Sequence, residues 1–198
     1  MPAQPLQPLL IVVSGPSGSG KGTLCKMLRE AVPDLVYSVS LTTRTPRHGE
    51  SNGVEYYFVS REEFLKLIDA GDFLEWAEVY GHYYGTQCSA VEASLNAGKD
   101  VLLELDVQGG QMVKEIFPQA VTVFIRPPSL EELSERITRR GTDDAVAINM
   151  RLSCAPEELR AAKIYDYVIN NDLKEQAFAE LLNIYEREKS IRNQSKGE

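Results

Sequence analysis

Nine residues, Gly15-Pro-Ser-Gly-Ser-Gly20-Lys21-Gly22-Thr23, follow directly on the apolar run Leu9–Ser14 and open a stretch whose Leu24, Cys25, Met27 and Leu28 share a helical face. Strand, glycine-rich loop and helix in that order make a phosphate cradle. The glycines let successive N–H groups turn inward, and the helix N-terminus adds positive potential. Lys21 supplies a full charge at the β- and γ-phosphates of a nucleotide. Residues Gly15, Pro16, Ser17, Gly18, Ser19, Gly20, Lys21, Gly22 and Thr23 are therefore the candidate triphosphate-binding set. One position departs from the usual pattern. The residue after the lysine is normally Ser or Thr and ligates Mg²⁺; here it is Gly22, and the hydroxyl comes one place later at Thr23.

The rest of the chain alternates strand and helix patterns. Val101–Leu105, Val121–Ile125 and Tyr167–Ile169 are short β-rich apolar runs of the kind buried in parallel sheets. Ser129-Leu-Glu-Glu132 is a capping box opening the series Leu130, Leu133, Ile137. The last helix carries Phe178, Leu181, Leu182 and Tyr185 as a core-facing stripe. Such alternation implies an α/β fold, a parallel sheet covered on both faces. Near the end of the Val101–Leu105 run, Glu104 and Asp106 share one face of a strand end, where a carboxylate can hold a metal-bound water. Asp106 joins Thr23 as a candidate for Mg²⁺. Pro156 predicts a kink or fresh helix start near Cys154–Glu157.

From about Val36 to Gly85 the rhythm breaks into aromatic and polar sequence, with a second capping box at Ser60-Arg-Glu-Glu63. This reads as an inserted lobe over 36–86 between core segments 9–35 and 87–192. The irregular piece Arg139–Asp144 predicts a lid, taken as 136–151 with its flanking helices. MPAQPLQP, residues 1–8, reads as a mobile leader, and residues 193–198 as a fraying tail.

The lobe carries Ser40-Leu-Thr-Thr-Arg44-Thr-Pro-Arg47-His-Gly-Glu50, a compact anion clamp in which guanidinium forks match phosphate oxygens. Tyr56 and the Tyr83-Tyr84-Gly85-Thr86 group add hydroxyls. Glu75, in the apolar run FLEWAEV, can accept two N–H donors from a planar group.

Across nearly the whole chain these motifs resemble guanylate kinase: VSLTTRTPRHGESNGVEYYFV, FLEWAEVYGHYYGT, LELDVQGG, IRPPS, RRGT and NND. The resemblance implies a P-loop kinase core with a five-stranded parallel sheet flanked by helices, an inserted mixed α/β GMP-binding lobe and a short lid. It implies transfer of the γ-phosphoryl group of MgATP to GMP, and to dGMP, within purine nucleotide metabolism. Ser40, Glu75 and Thr86 would read guanine; Arg44, Arg47, Tyr56 and Tyr84 would hold the GMP phosphate, with Glu50 orienting the clamp. Glu104 belongs to the same GMP set, where many relatives have Asp. Arg136, Arg140 and Arg151 fall at lid positions facing the ATP tail and join Lys21 and Arg44 as the catalytic charges. Asn171 falls where the family touches adenine.

Guanine also follows from the chemistry of Glu75. Guanine presents N1–H and N2–H₂ as adjacent donors, which an ionised carboxylate accepts, whereas adenine would leave that carboxylate unpaired. An empty site open to water further predicts that Glu75→Gln costs GMP binding but little stability. Two rivals remain: a non-catalytic interaction module of the same fold, opposed by the intact P-loop, and a kinase for another nucleotide, opposed by Glu75, Ser40 and Thr86.

The chain of 198 residues has formal net charge −8. That acid excess argues against coating nucleic acid or an anionic membrane. The longest apolar run, LLIVV, is far below the roughly 18 residues of a membrane span. Cys25, Cys88 and Cys154 form no CxxC pair, so reduced thiols in a cytoplasmic protein are expected.

Overall fold

A computed structural model describes residues 7–47, 49–79, 81–139 and 145–194. Arg140, with the rest of the loop to residue 144, and the expected leader through residue 6 lie outside the described residues, as do His48 and the last four residues.

Five strands build the main sheet: β1 (Leu10–Ser14), β2 (Val36–Tyr37), β7 (Val101–Glu104), β8 (Val121–Arg126) and β9 (Tyr167–Asn170). They lie in the order β2-β7-β1-β8-β9, every pair parallel. Val36 and Tyr37 pair with β7, so they belong to this sheet rather than to the lobe, whose own strands begin at Leu41. Alternation along β1 explains the layering. Ile11 and Val13 face a core built with α1 (Lys21–Ala31) and α7 (Lys174–Gln194), including Leu24, Leu28, Leu181 and Tyr185. Leu10 and Val12 face the opposite core, with Val91 of α3 (Cys88–Asn96) and Val113 of α4 (Val107–Ile116).

At the amino ends of the strands, buried Asp100 accepts from the Leu9 N–H, the Tyr185 hydroxyl and Lys189, tying α7 to β1 and β7. Arg192 donates to the Pro8 carbonyl, and α7 continues through Gln194, so residues 193 and 194 extend the helix rather than fraying.

The lobe is a second, four-stranded sheet of order β4-β3-β6-β5, from β3 (Leu41–Thr42), β4 (Tyr57–Phe58), β5 (Phe73–Val79) and β6 (His82–Gln87). Helix α2 (Arg61–Asp69) starts at a complete capping box on Ser60 and Glu63 and buries Phe64 against the sheet, stacked on Phe73 and Tyr83. A bulge between Phe73 and Glu75 re-aims β5. Leu74 thereby reaches the core of the main sheet while Glu75 turns inward from the next position.

Two further helices, α5 (Leu130–Arg139) and α6 (Ala145–Arg160), pack through Leu133, Ile137 and Ala155. The Ser129 hydroxyl caps α5 by accepting from the Glu132 N–H, but the reciprocal arm is absent because Glu132 pairs with Arg136 instead. Of the kink or fresh start expected near Cys154–Glu157, the fresh start is not taken: α6 runs through Pro156 as one helix. That proline sits on the exposed side, where water can take the carbonyl it leaves unpaired.

Candidate active site

The loop after β1 closes at the carboxyl end of the main sheet. Gly15 and Gly20 take positive φ (145° and 97°), and neither has room for a side chain. A Cβ would lie 2.3 Å from the Ile125 carbonyl oxygen at the first and 2.2 Å from Asn171 Nδ2 at the second. Lys21 Nζ donates to the Gly15 and Pro16 carbonyls at 2.7 and 3.1 Å. Burial pushes its pKa down, against the pull of Glu104, Glu158 and Asp106.

Side chains from beyond the loop brace it. Asn171, 5% exposed, donates from Nδ2 to the Ser19 carbonyl at 2.7 Å, so its amide is engaged with the loop itself. Arg136 donates to the Asn171 carbonyl at 3.3 Å and to Glu132 at 3.0 Å. Arg151, on α6, donates to Ser17 Oγ at 2.6 Å. Arg151 thus reaches the phosphate loop and Arg136 reaches the Asn171 segment that braces it; Arg140 lies outside the described residues.

In the lobe, Glu75 and Thr86 are cross-strand partners, so their side chains rise from the same face. Thr86 Oγ1 donates to Glu75 Oε1 at 2.7 Å and stands 3.2 Å from Ser40 Oγ. With the threonine proton committed to the carboxylate, Ser40 donates to Thr86, and the three form a chain ending on the acid. Glu75 is 8% exposed, and burial raises its pKa to about 7. This corrects the expectation of a solvated carboxylate: packing of β5 onto α4 has taken water away.

The anion clamp is already assembled. Arg44 forks onto Glu50 at 2.9 and 3.0 Å, while the Arg47 backbone N–H donates to Glu50 Oε2 at 2.7 Å. The Arg44 hydrogen bond is the main reason the Glu50 carboxyl lies below its usual range. Arg44 is also held charged by the neighbouring Tyr84 and lies over the Tyr56 ring at 5.6 Å.

Glu104 and Asp106 divide differently from expectation. Asp106 caps α4 through the Gly109 N–H at 2.7 Å and lies close enough to Glu75 to help raise its pKa. Glu104 is on the phosphate-loop side, accepting from the Tyr37 hydroxyl at 3.2 Å and interacting with Lys21 and Tyr56. Glu104, expected in the GMP set, thus lies between Lys21 and Tyr56, and Asp106, expected at the metal, lies between Lys21 and Glu75. Sequence spacing could not separate them, because both leave the strand on one face.

Residues missed by sequence reasoning include Tyr37, Glu158 and the pair Gly109-Gly110. A Cβ on Gly109 would lie 2.9 Å from Glu75 Oε2; one on Gly110 would lie 2.5 Å from both Ser14 Oγ and Tyr165 OH. Two glycines in the first turn of a helix, where their propensity is poor, were the readable signal of a close approach. Tyr37 and Glu158 had no such signal.

Mg²⁺ accompanies the triphosphate in the family the sequence resembles. No cluster of three or more potential metal-ligating side chains occurs among the described residues. Glu104 and Asp106, hard oxygen donors that both act on Lys21 of the phosphate loop, suit a cation that keeps several waters and leans on phosphate oxygens; Thr23 is exposed on α1. The residues fit the ion.

A phosphate loop at the end of a parallel sheet, joined to a lobe holding an arginine–glutamate fork and a buried carboxylate, is the architecture of a P-loop nucleotide kinase. Comparison gives the particular family. The guanylate kinase family model matches residues 7–188, and the chain belongs to that family. It is 51% identical over 195 residues to a protein named guanylate kinase from Symbiobacterium thermophilum, covering 98% of this chain and 92% of that one. A guanylate kinase from Desulfitobacterium hafniense is 54% identical over 164 residues, covering 83% and 82%. The crystal structure of guanylate kinase from Anaplasma phagocytophilum superposes with a TM-score of 0.76 at 36% identity, covering 94% of this chain and 88% of that chain. No helix among the described residues is long and apolar enough to cross a membrane.

Proposed function

We infer that the chain is an ATP:GMP phosphotransferase, giving ADP and GDP. Beyond its family, the observation that carries this reading is the Ser40–Thr86–Glu75 chain ending on a buried carboxylate. The charge of Asp106 acts on both Glu75 and Lys21, which supports base-reading and phosphate-binding groups that work side by side.

Glu75 in its ionised form accepts from guanine N1–H and N2–H₂, and Ser40 and Thr86 hold it in register. Arg44, Arg47, Tyr56 and Tyr84 grip the phosphate of GMP, and Glu50 keeps the Arg44 fork pointed. The acceptor is a phosphate oxygen already largely ionised at neutral pH, its second pKa being about 6, so no catalytic base is needed. Residues Gly15 to Thr23 hold the donor phosphates, with Asn171 steadying the loop near the adenine end. Lys21, Arg136 and Arg151, with Arg140, offset charge as the phosphoryl group passes in line. Magnesium bound with ATP supplies further charge neutralisation at the β- and γ-phosphates, and Thr23, Glu104 and Asp106 are the residues available to hold its waters. dGMP presents the same base edge and the same phosphate to these groups, so on this reading it is a second acceptor. Three free thiols, with Cys154 exposed, favour the cytoplasm.

Phosphorus NMR of the protein with MgATP and GMP tests the reading directly. ADP and GDP should accumulate in equal amounts. ATP loss with inorganic phosphate and no GDP would overturn it.

A further inference from the structure

Two positions stand out: Gly22, where phosphate loops carry a hydroxyl, and Glu104, which the resemblance to the family sets against a shorter Asp. In the folded chain these two departures touch. A Cβ built on Gly22 would lie 3.3 Å from Glu104 Oε1 and 3.5 Å from Oε2. Gly22 has no positive φ, so its backbone does not call for glycine, and glycine inside a helix is unfavourable. The space beside it is tight by a few tenths of an ångström. The Glu104 carboxylate fills it, held by the Tyr37 hydroxyl at 3.2 Å and drawn by the charge of Lys21.

We propose that Gly22 and Glu104 are one coupled unit, in which the Glu104 carboxylate occupies the place of the missing loop hydroxyl and replaces it as the oxygen donor toward the hydrated magnesium of the nucleotide. The longer side chain is needed because it must reach from β7 to the start of α1. Glu104 is a positioning residue on this account, since it acts through the waters of the ion. The inference rests on the magnesium-nucleotide reading above.

Calorimetric titration with ADP, once in Mg²⁺ and once in EDTA, gives each protein a ratio of Kd values that measures magnesium enhancement without turnover. Gly22→Ser and Glu104→Asp should each lower that ratio about tenfold, the low end of the loss seen when groups around a metal's ligands are removed. Gly22→Ser with Glu104→Asp should restore it to within about threefold of the parent. Gly22→Ala with Glu104→Asp provides space without an oxygen and should stay low. The EDTA arm reports folding, because a damaged loop loses ADP there too. Additive losses in the serine–aspartate double variant, or rescue by the alanine version, would overturn the proposal. A parent protein with no magnesium enhancement would instead overturn the magnesium-nucleotide reading itself.

Discussion

Glu75 joins specificity to pH. Burial holds its carboxyl at about 7 against an ordinary 4.5, so between those values the folded protein keeps a proton the unfolded chain has released. Its effect on stability is therefore a penalty that is absent below about pH 4.5 and grows as pH rises to about 7. The full penalty is on the order of 3 kcal/mol. Glu75→Gln removes it. Thermal melts should find the variant more stable than the parent at pH 8, with the advantage fading toward pH 5; equal melts at pH 8 would mean the carboxylate is better solvated than its 8% exposure indicates. Guanine needs the ionised form, so GMP affinity should fall as pH drops below about 7. GMP itself gains a proton near pH 6, so the difference between parent and Glu75→Gln isolates the residue. The same variant should use GMP at least tenfold less well while losing less with IMP, which lacks N2–H₂.

Among the elements, α4 places two adjacent glycines against different partners. Gly109→Ala puts a methyl 2.9 Å from Glu75 Oε2 and must displace the carboxylate. Alanine is the better helix former by about 1 kcal/mol, so melting should change little while the KM for GMP rises and that for ATP holds. Gly110→Ala meets Ser14 Oγ and Tyr165 OH at 2.5 Å, neither of which can leave easily. That variant should lose about 1–3 kcal/mol of stability in urea titrations, as overpacked cores do. Matching effects of the two variants would contradict the assigned contacts. Elements with strong local signals were legible: the phosphate loop, the Ser60 capping box and the apolar strand runs. The bulge at Phe73–Glu75, the unbroken passage of α6 through Pro156 and the two-residue β2 were not, because each depends on packing partners distant in sequence.

At the scale of the whole molecule, the phosphate loop belongs to the main sheet and the Arg44–Glu50 fork to the lobe, so donor and acceptor are expected at separate units. Arg44, preassembled on Glu50 within the lobe, should govern only one of them. Arg44→Ala should raise the KM for GMP at least tenfold and leave ATP binding almost unchanged; equal losses for both nucleotides in initial-rate kinetics would contradict the division. The site's residue types were readable because clamp, loop and base reader each keep a local motif. The separate neighbours of Glu104 and Asp106, Tyr37 for one and the α4 N-terminus for the other, were not, since they depend on how β7 packs between α1 and α4. The account as a whole stands on acceptor choice, and coupled ADP release with GMP, AMP, UMP and CMP offered in turn measures it. The Ser40–Thr86–Glu75 chain predicts rapid release with GMP and near-background release with the other three. Release with AMP and not with GMP would contradict it.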